Sequence, residues 1–450
     1  MQVSVQTTEG LERRMTVQVP AEQVDQEVEN RLRDLCRNVR MDGFRPGKVP
    51  FKVVQKRYGA QVRQEVINEV LQKTYGEALA QESLNPAGNP AVDIKQGLES
   101  GDLEYEAVFE VMPEFEVQGV QGMQLERPVA EVTDADVDKV LTDLQKQQAK
   151  YNQVEREAQE GDRVIVDFTG KIDGEDFPGN EGEDQPVTLG ANAMPPEFEE
   201  ALVGLKAGDT KDIEYTFADD FPTESIRGKS AIFHTTVKAV EEAELPALDD
   251  DLAASVGVAE GGLEELKNLI RKNLSAEAER ASKAGLKQQV TDKLAASNSE
   301  ITIPKALVDG EIATLQQQMQ QRIQQQTGQQ EAMDLPGELF EEQARRRVLL
   351  GLVMNKLISE NEITVDRERV QQQLQELAAS YPNPQEVIQY YSQNPQMMQS
   401  LEINVLEDQL IDWAVEQAQV EDKPTDLDSL LKPQQPQAAA DEGQAEKSED

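Results

Sequence analysis

The chain has 450 residues and a formal net charge of −42, from 44 Lys and Arg against 86 Asp and Glu. A balance that acidic opposes binding along extended nucleic acid. Apolar residues make up 38% and aromatics 4%, which fits several small cores, about three by the usual length per domain, better than one large core. A single Cys and a single His exclude an intrachain disulfide and a Cys/His zinc cluster. Neither a Gly-rich phosphate loop nor an apolar run near the ~20 residues of a membrane span is present.

The N-terminus, Met1-Gln2-Val3-Ser4-Val5, lacks the basic and apolar regions of a secretory signal, so a cytoplasmic protein is expected. Residues 2–8 and 11–19 read as two short strands around Glu9-Gly10, a hairpin signal. Pro20 then opens a helix, where its missing N–H costs nothing. Val24, Val28, Leu32, Leu35 and Val39 recur three or four apart and form one apolar stripe, with Cys36 on that side as a packed core thiol. Phe51–Tyr58 reads as a short helix started by Pro50, and Gln61–Ser83 as a longer one with Val62, Val66, Ile67, Val70 and Leu71 turned inward. Strands over 91–95 and 103–111 close a small α+β domain.

Between those helices stands Gly43-Phe44-Arg45-Pro46-Gly47-Lys48-Val49-Pro50. Its glycines and prolines make a tight, partly rigid loop, from which one aromatic (Phe44) and two cations (Arg45 and Lys48) project. It is either an ordinary helix–helix connection with one apolar residue folded inward or a docking finger. From Arg31 to Arg63 there are ten cations (Arg31, Arg33, Arg37, Arg40, Arg45, Lys48, Lys52, Lys56, Arg57, Arg63) against two acids, Asp34 and Asp42, a local excess of eight positive charges. A basic island in an acidic chain points to one specific polyanionic site rather than a long track of phosphates. The octapeptide resembles the ribosome-docking signature of the bacterial trigger factor family, chaperones at the mouth of the peptide exit tunnel. The resemblance implies that Gly43, Phe44, Arg45, Pro46, Gly47 and Lys48 contact the ribosome.

Residues 113–128, rich in Gly, Pro and Gln, read as an extended connector. Thr133-Asp134-Ala135-Asp136 caps a helix through about Lys150, with Val137, Val140, Leu141 and Leu144 on one side. That helix is too isolated to stand alone and is expected to pack on the C-terminal helices. From Gly161 the pattern turns to strands over 163–168, 188–189, 210–217 and 232–240, with one short helix over 197–202. His234 alternates to the face opposite Phe233, a poor position for catalysis.

The run Val166-Asp167-Phe168-Thr169-Gly170, then Asp173-Gly174, Phe198-Glu199-Glu200-Ala201-Leu202, Gly204 and Gly208-Asp209 resembles an FKBP-type peptidyl-prolyl isomerase domain over about eighty residues. That resemblance implies a proline pocket lined by Phe168, Phe177, Met194, Phe198, Phe221 and Phe233. For any one of these, a plain core ring is the competing reading. Three departures stand out. Pro195 occupies the position whose backbone N–H in the family holds a substrate carbonyl, and proline has no N–H. Gln185 stands where an aromatic is usual, and Phe221 replaces a Tyr. The expectation is a proline-binding pocket with weakened isomerase activity.

From about residue 261 the chain reads as helices over 261–296, 305–327, 338–360, 366–379, 385–392 and 398–419, broken at Ile303-Pro304, Leu335-Pro336-Gly337 and Tyr381-Pro382-Asn383-Pro384. Gln and Met are common between thinly spaced apolar residues. Either this is a solvated bundle, or it is a surface of scattered apolar patches suited to many unfolded chains. From about Lys423 the composition reads as disordered.

The fold class expected is multidomain α+β: a small α+β ribosome-docking domain over 1–112, a linker and helix over 113–150, a β-rich FKBP-like domain over 151–243, an elongated all-α chaperone domain over 244–432, and an acidic tail over 433–450. The trigger factor resemblance covers nearly the whole chain to about residue 430, with these domain types in the family's order. The implied partners are the large ribosomal subunit at the exit tunnel, through ribosomal protein and rRNA, nascent and unfolded polypeptides, and a second copy of the chain when free. No nucleotide, cofactor, metal or membrane partner is implied. The alternative is an enzyme first, a prolyl isomerase whose helical region recruits substrate.

Overall fold

A computed structural model describes residues 1–41, 44, 49–177, 179–191, 194–218, 226–258, 260–327, 335–379 and 381–432. The N-terminal stretch runs through β1 (Gln2–Thr7), β2 (Glu12–Val19), α1 (Ala21–Asn38), α2 (Phe51–Gln81), β3 (Ala91–Gln96) and β4 (Leu103–Glu110). Then come β5 (Gln124–Val129), α3 (Asp134–Gln147), β6 (Lys150–Val154), β7 (Arg163–Lys171), β8 (Glu181–Thr188), α4 (Pro196–Leu202), β9 (Thr210–Thr216) and β10 (Ser230–Glu244). The rest is mainly helical: α5 (Asp250–Ser255), α6 (Gly262–Ser297), α7 (Lys305–Thr327), a 3-10 turn at Gly337–Phe340, α8 (Glu341–Glu360), α9 (Arg367–Ala379), α10 (Pro384–Gln393) and α11 (Pro395–Gln417), then β11 (Gln419–Pro424) and α12 (Leu427–Leu431). None of the helices among the described residues is long and apolar enough to cross a membrane. Contacts divide the described residues into two compact units, those within 1–127 and 284–422 and those within 128–283 and 423–432.

In the first unit an antiparallel sheet of order β1-β2-β4-β3 carries α1 and α2 on one face. Period-two alternation sends Met15, Val17 and Val19 of β2 and Leu103, Tyr105, Ala107 and Phe109 of β4 to that face. Val24 and Leu32 of α1 and Val54, Val62, Val66, Ile67 and Val70 of α2 cover them, with Cys36 packed at the margin. Burial of each such aliphatic side chain contributes about 1.5–3 kcal/mol. The buried Thr74 hydroxyl lies 3.0 Å from the Tyr105 hydroxyl, so that polar pair is satisfied.

Here the structure corrects the sequence reading: α2 is one continuous helix through Gly59, not two. A glycine inside a helix costs only about 1 kcal/mol relative to alanine. Val54 before it and Val62 after it enter the same core, and that outweighs the cost.

The stretch 113–127, read as an extended connector, turns at residues 121–122 before entering β5, and it is clamped. Val120, Met123 and Leu125 are buried against Leu286, Val290 and Leu294 of α6, Val353 and Leu357 of α8, and Leu410, Ile411 and Ala414 of α11. Its backbone is held by side-chain amides that imitate a neighbouring strand. Asn298, 3% exposed, accepts the Gln118 N–H at 3.0 Å and donates to the Gln118 carbonyl at 3.0 Å. Gln289 does the same at Glu126, at 2.9 and 2.7 Å. Asn298→Ala should therefore destabilise this packing by about 0.5–1.5 kcal/mol, the net worth of a hydrogen bond, since the Gln118 backbone is partly open to water. Faster hydrogen exchange at Gln118 is the measurement, and unchanged exchange there would refute the clamp.

In the second unit β6-β10-β7-β8 form an antiparallel sheet, with β9 pairing β10. Separately, Val137 and Leu141 of α3 pack on Ala253 of α5 and Leu266 and Ile270 of α6. The start of α3 carries a full capping box between Thr133 and Asp136. A further correction concerns the region after Lys423. β11 pairs with β5, and Leu427 and Leu430 of α12 are buried against Ala278, so order continues past the point where composition suggested its end. Asp426 caps that short helix by accepting the Ser429 N–H at 2.8 Å. The tail over 433–450 lies outside the described residues.

Candidate functional site

The site is built on β7 and β10. In their antiparallel register Thr235 faces Phe168 and Phe233 faces Gly170, which makes Phe168 and Phe233 diagonal neighbours on one face of the sheet. Their ring centroids are 5.8 Å apart, nearly edge to face. Phe198, on α4, lies 6.0 Å from Phe168 and 5.9 Å from Phe233. Phe177 reaches Phe233 at 6.1 Å. Phe198 is buried at 2% exposure, whereas Phe168, Phe177, Met194 and Phe233 are each half-buried. The arrangement is a hydrophobic floor with partly open walls.

Two glycines let the rings lie close to the sheet. A Cβ on Gly170 would stand 2.6 Å from Cε1 of Phe233, and one on Gly182 would stand 2.8 Å from Cε1 and Cζ of Phe168. Only a residue without a side chain fits beneath each ring.

The structure thus brings Phe168, Phe177, Phe198 and Phe233 into one ring cluster, with Met194 packed against the same core. Phe221 lies outside the described residues. The chain contributes another ring that sequence reasoning missed. Phe217 lies 5.8 Å from Phe177 and 5.1 Å from Tyr215, buried with Ile172, Ile226 and Ala231. The alternation Ile213, Tyr215, Phe217, which runs one residue past the end of β9, was the available signal.

The departures have visible consequences. Pro195 is the N-cap of α4, and its carbonyl accepts the Phe198 and Glu199 N–H groups at 2.9 and 3.2 Å. It offers a substrate no N–H. The Gln185 side chain is exposed, and its amide donates back to the Glu183 carbonyl at 3.0 Å, so it takes the place of a ring without supplying one. On the sheet's other face, Asp167 accepts the Asp184 N–H at 2.7 Å and meets Lys238 at 3.2 Å. That backbone hydrogen bond, followed by the Lys238 contact, holds the Asp167 carboxyl below its ordinary value, against desolvation. His234 is exposed and pairs with Asp212 at 2.7 Å. Among the described residues no group of three His, Cys, Asp or Glu is placed to hold a metal.

Of the expected docking loop, Phe44 is described and is 40% exposed, while Val49 beside it is buried at 6%. Gly43, Arg45, Pro46, Gly47 and Lys48 lie outside the described residues. The surrounding cations divide into two groups. Arg31 pairs with Glu69, Arg33 with Glu29, Arg37 with Asp34, and Arg63 with Asp25. Arg40, Lys52, Lys56 and Arg57 are exposed and form no ion pair with any described residue.

A family model described as "Bacterial trigger factor protein (TF)" matches residues 1–144. One for "FKBP-type peptidyl-prolyl cis-trans isomerase" matches 154–238, and one for the trigger factor C-terminus matches 262–416. The trigger factor of Alkalilimnicola ehrlichii is 57% identical over 100% of this chain and 99% of that protein. That of Halorhodospira halophila is 52% identical over 96% and 98%. A solved structure titled "Promiscuous Substrate Recognition in Folding and Assembly Activities of the Trigger Factor Chaperone" covers 92% of this chain and 99% of its own, at 20% identity and a TM-score of 0.46.

Proposed function

The chain belongs to the trigger factor family, and on that premise we propose that it works in the cytoplasm at the exit tunnel of the large ribosomal subunit. There it shields nascent polypeptides and needs no nucleotide. It docks through residues 43–50, with Phe44 as the anchor and Arg45 and Lys48 on phosphate or carboxylate. The observation that carries the docking reading is the division of the basic island. Four cations are engaged within the fold, whereas Arg40, Lys52, Lys56 and Arg57, which flank the loop, form no ion pair with a described residue, although the Arg57 guanidinium lies 6.0 Å over the Tyr58 ring. In a chain of net charge −42 such a concentration is costly to keep without a use for it. Replacing those four by Gln should lower the slope of log affinity against log salt by about one for each cation that meets an rRNA phosphate.

The chain is a chaperone of this family and carries an FKBP-type peptidyl-prolyl isomerase domain. The proline site is assigned to Phe168, Phe177, Met194, Phe198, Phe221 and Phe233. Rotation about an X–Pro bond meets a barrier of about 18–20 kcal/mol because the amide is conjugated, and it needs neither proton nor nucleophile. A ring-lined hollow grips the pyrrolidine and excludes water, so the twisted amide, which has lost its charge-separated resonance form, fits better than the planar one. With Pro195 unable to donate and Gln185 turned back on its own strand, recognition falls to ring packing.

Phe233 touches three of the other rings, so Phe233→Ala should lower kcat/KM on a Phe–Pro peptide tenfold or more. Suppression of aggregation of a proline-free client should be unchanged. An unaltered kcat/KM would remove the ring cluster as the site. Failure of the wild-type chain to protect the proline-free client would favour the enzyme-first reading.

A further inference from the structure

Glu199 is an acid in an apolar setting, 5% exposed, next to the floor residue Phe198 on α4. Its two carboxylate oxygens are aimed at two backbone groups. Oε2 accepts the Gly190 N–H at 2.9 Å, and Oε1 accepts the Met194 N–H at 3.0 Å. At the same helix start, the Phe198 and Glu199 N–H groups both donate to the Pro195 carbonyl. Phe198 and Met194 are therefore set from a single turn of α4: the first as part of it, the second through the neighbouring carboxylate.

We propose that Glu199 is a positioning residue of the proline site, holding Met194 at a fixed distance from Phe198. This rests on the assignment of Met194 and Phe198 to that site. The physical case is preorganisation. A carboxylate offers acceptors in two directions at once, and charge-assisted bonds to backbone N–H groups are the stronger kind. The amide of Gln offers one acceptor, and its NH₂ would face the second N–H, donor against donor. Asp keeps the charge and loses a methylene, too short to reach both Gly190 and Met194. The role matters more here because Pro195 removes a backbone donor, so the fit of the apolar walls decides affinity.

The test uses the full chain, with kinetics and methyl NMR of Met194 during titration with a Phe–Pro peptide. Glu199→Gln should raise both the KM and the peptide Kd about tenfold with kcat within twofold, and Glu199→Asp should raise them less. Mere destabilisation would lower the folded fraction, and so kcat, leaving KM unchanged. Unchanged KM and Kd in Glu199→Gln would overturn the proposal, whatever happened to kcat. Should the wild-type chain bind the peptide without catalysing its isomerisation, the isomerase reading fails. The positioning role would then stand or fall on the Kd alone. Should the Met194 methyl signal be unmoved by peptide in the wild type, the assignment of Met194 to the site fails, and the proposal with it.

Discussion

The triple variant Phe44→Ala, Arg45→Ala, Lys48→Glu should stay in the supernatant under conditions where the wild-type chain pellets with ribosomes. The expected loss is about 4 kcal/mol, roughly a thousandfold in Kd, with the aromatic anchor accounting for about half. The fold should not suffer. Phe44 is 40% exposed and is not among the residues packed on the N-terminal core, whereas its neighbours Met41, Val49 and Phe51 are. Far-UV circular dichroism and the melting of the variant should match the wild type. Wild-type pelleting should weaken as salt rises, because cation–phosphate contacts release counterions that return at high salt. Pelleting of the variant equal to wild type would move docking away from residues 43–50. Loss of pelleting together with loss of fold would leave the bland reading of the loop, an ordinary helix connection, in place.

The sheet strands that carry the site were legible where apolar residues alternate. β7, with Val164 and Val166 facing the core, follows the period of two, and so does β10 up to the bulge between Val237 and Ala239; they were read over 163–168 and 232–240 and run over Arg163–Lys171 and Ser230–Glu244. Of β8 only the last residue, Thr188, fell within the strand read at 188–189. Its sequence is mostly acidic and polar, with Pro186 inside it, and it is a strand because β7 pairs with it from Arg163 to Thr169. The pair β5 and β11 was invisible for the same reason, since Gln419–Pro424 shows no alternating apolar pattern. Tertiary pairing decides such segments.

The clamp at Asn298 was also beyond reach, because it joins side chain to backbone across 180 residues and leaves no local pattern. At the site, Phe168, Phe233 and Phe198 lie together because strand register and one helical turn place them, and Phe177 joins them from the loop between β7 and β8. Phe217 did not come forward, because a motif carries over only the residues it names. Glu199 was quoted as part of a motif and given no role. Nothing in a sequence tells a buried acid from an exposed one.

The second large effect is expected at the entrance to β7. Asp162 is 4% exposed and lies just before the strand that carries Phe168. Arg156 grips it with two bonds, Nη1 to Oδ2 at 2.6 Å and Nη2 to Oδ1 at 2.9 Å, and the Gln159 N–H adds a third at 2.8 Å. The Asp162 carbonyl accepts the Leu189 N–H at 2.9 Å, so the same residue fixes the chain just beyond β8. Burial alone would push the Asp162 carboxyl up. The Arg156 and Gln159 hydrogen bonds and the guanidinium charge outweigh it, and the net shift is downward.

Arg156→Ala removes the partner and leaves the burial. Leaving a buried carboxylate without its partner is destabilising, and the 32% exposure of the Arg156 side chain tempers the loss. Acid should then separate the two proteins in a specific way. In the wild type the depressed folded pKa makes this contribution complete above the unfolded value of about 3.9, and it is lost as pH falls through the folded pKa. In the variant burial prevails, the folded pKa rises above the unfolded one, and protonation relieves the penalty as pH falls toward it. The stability gap should thus be widest near pH 7 and narrow steadily below about pH 5. Hydrogen exchange of peptides spanning 156–168, measured at several pH values, reads this directly. A gap that stayed constant down to pH 3 would mean that Arg156 acts there through packing of its stem rather than through its charge.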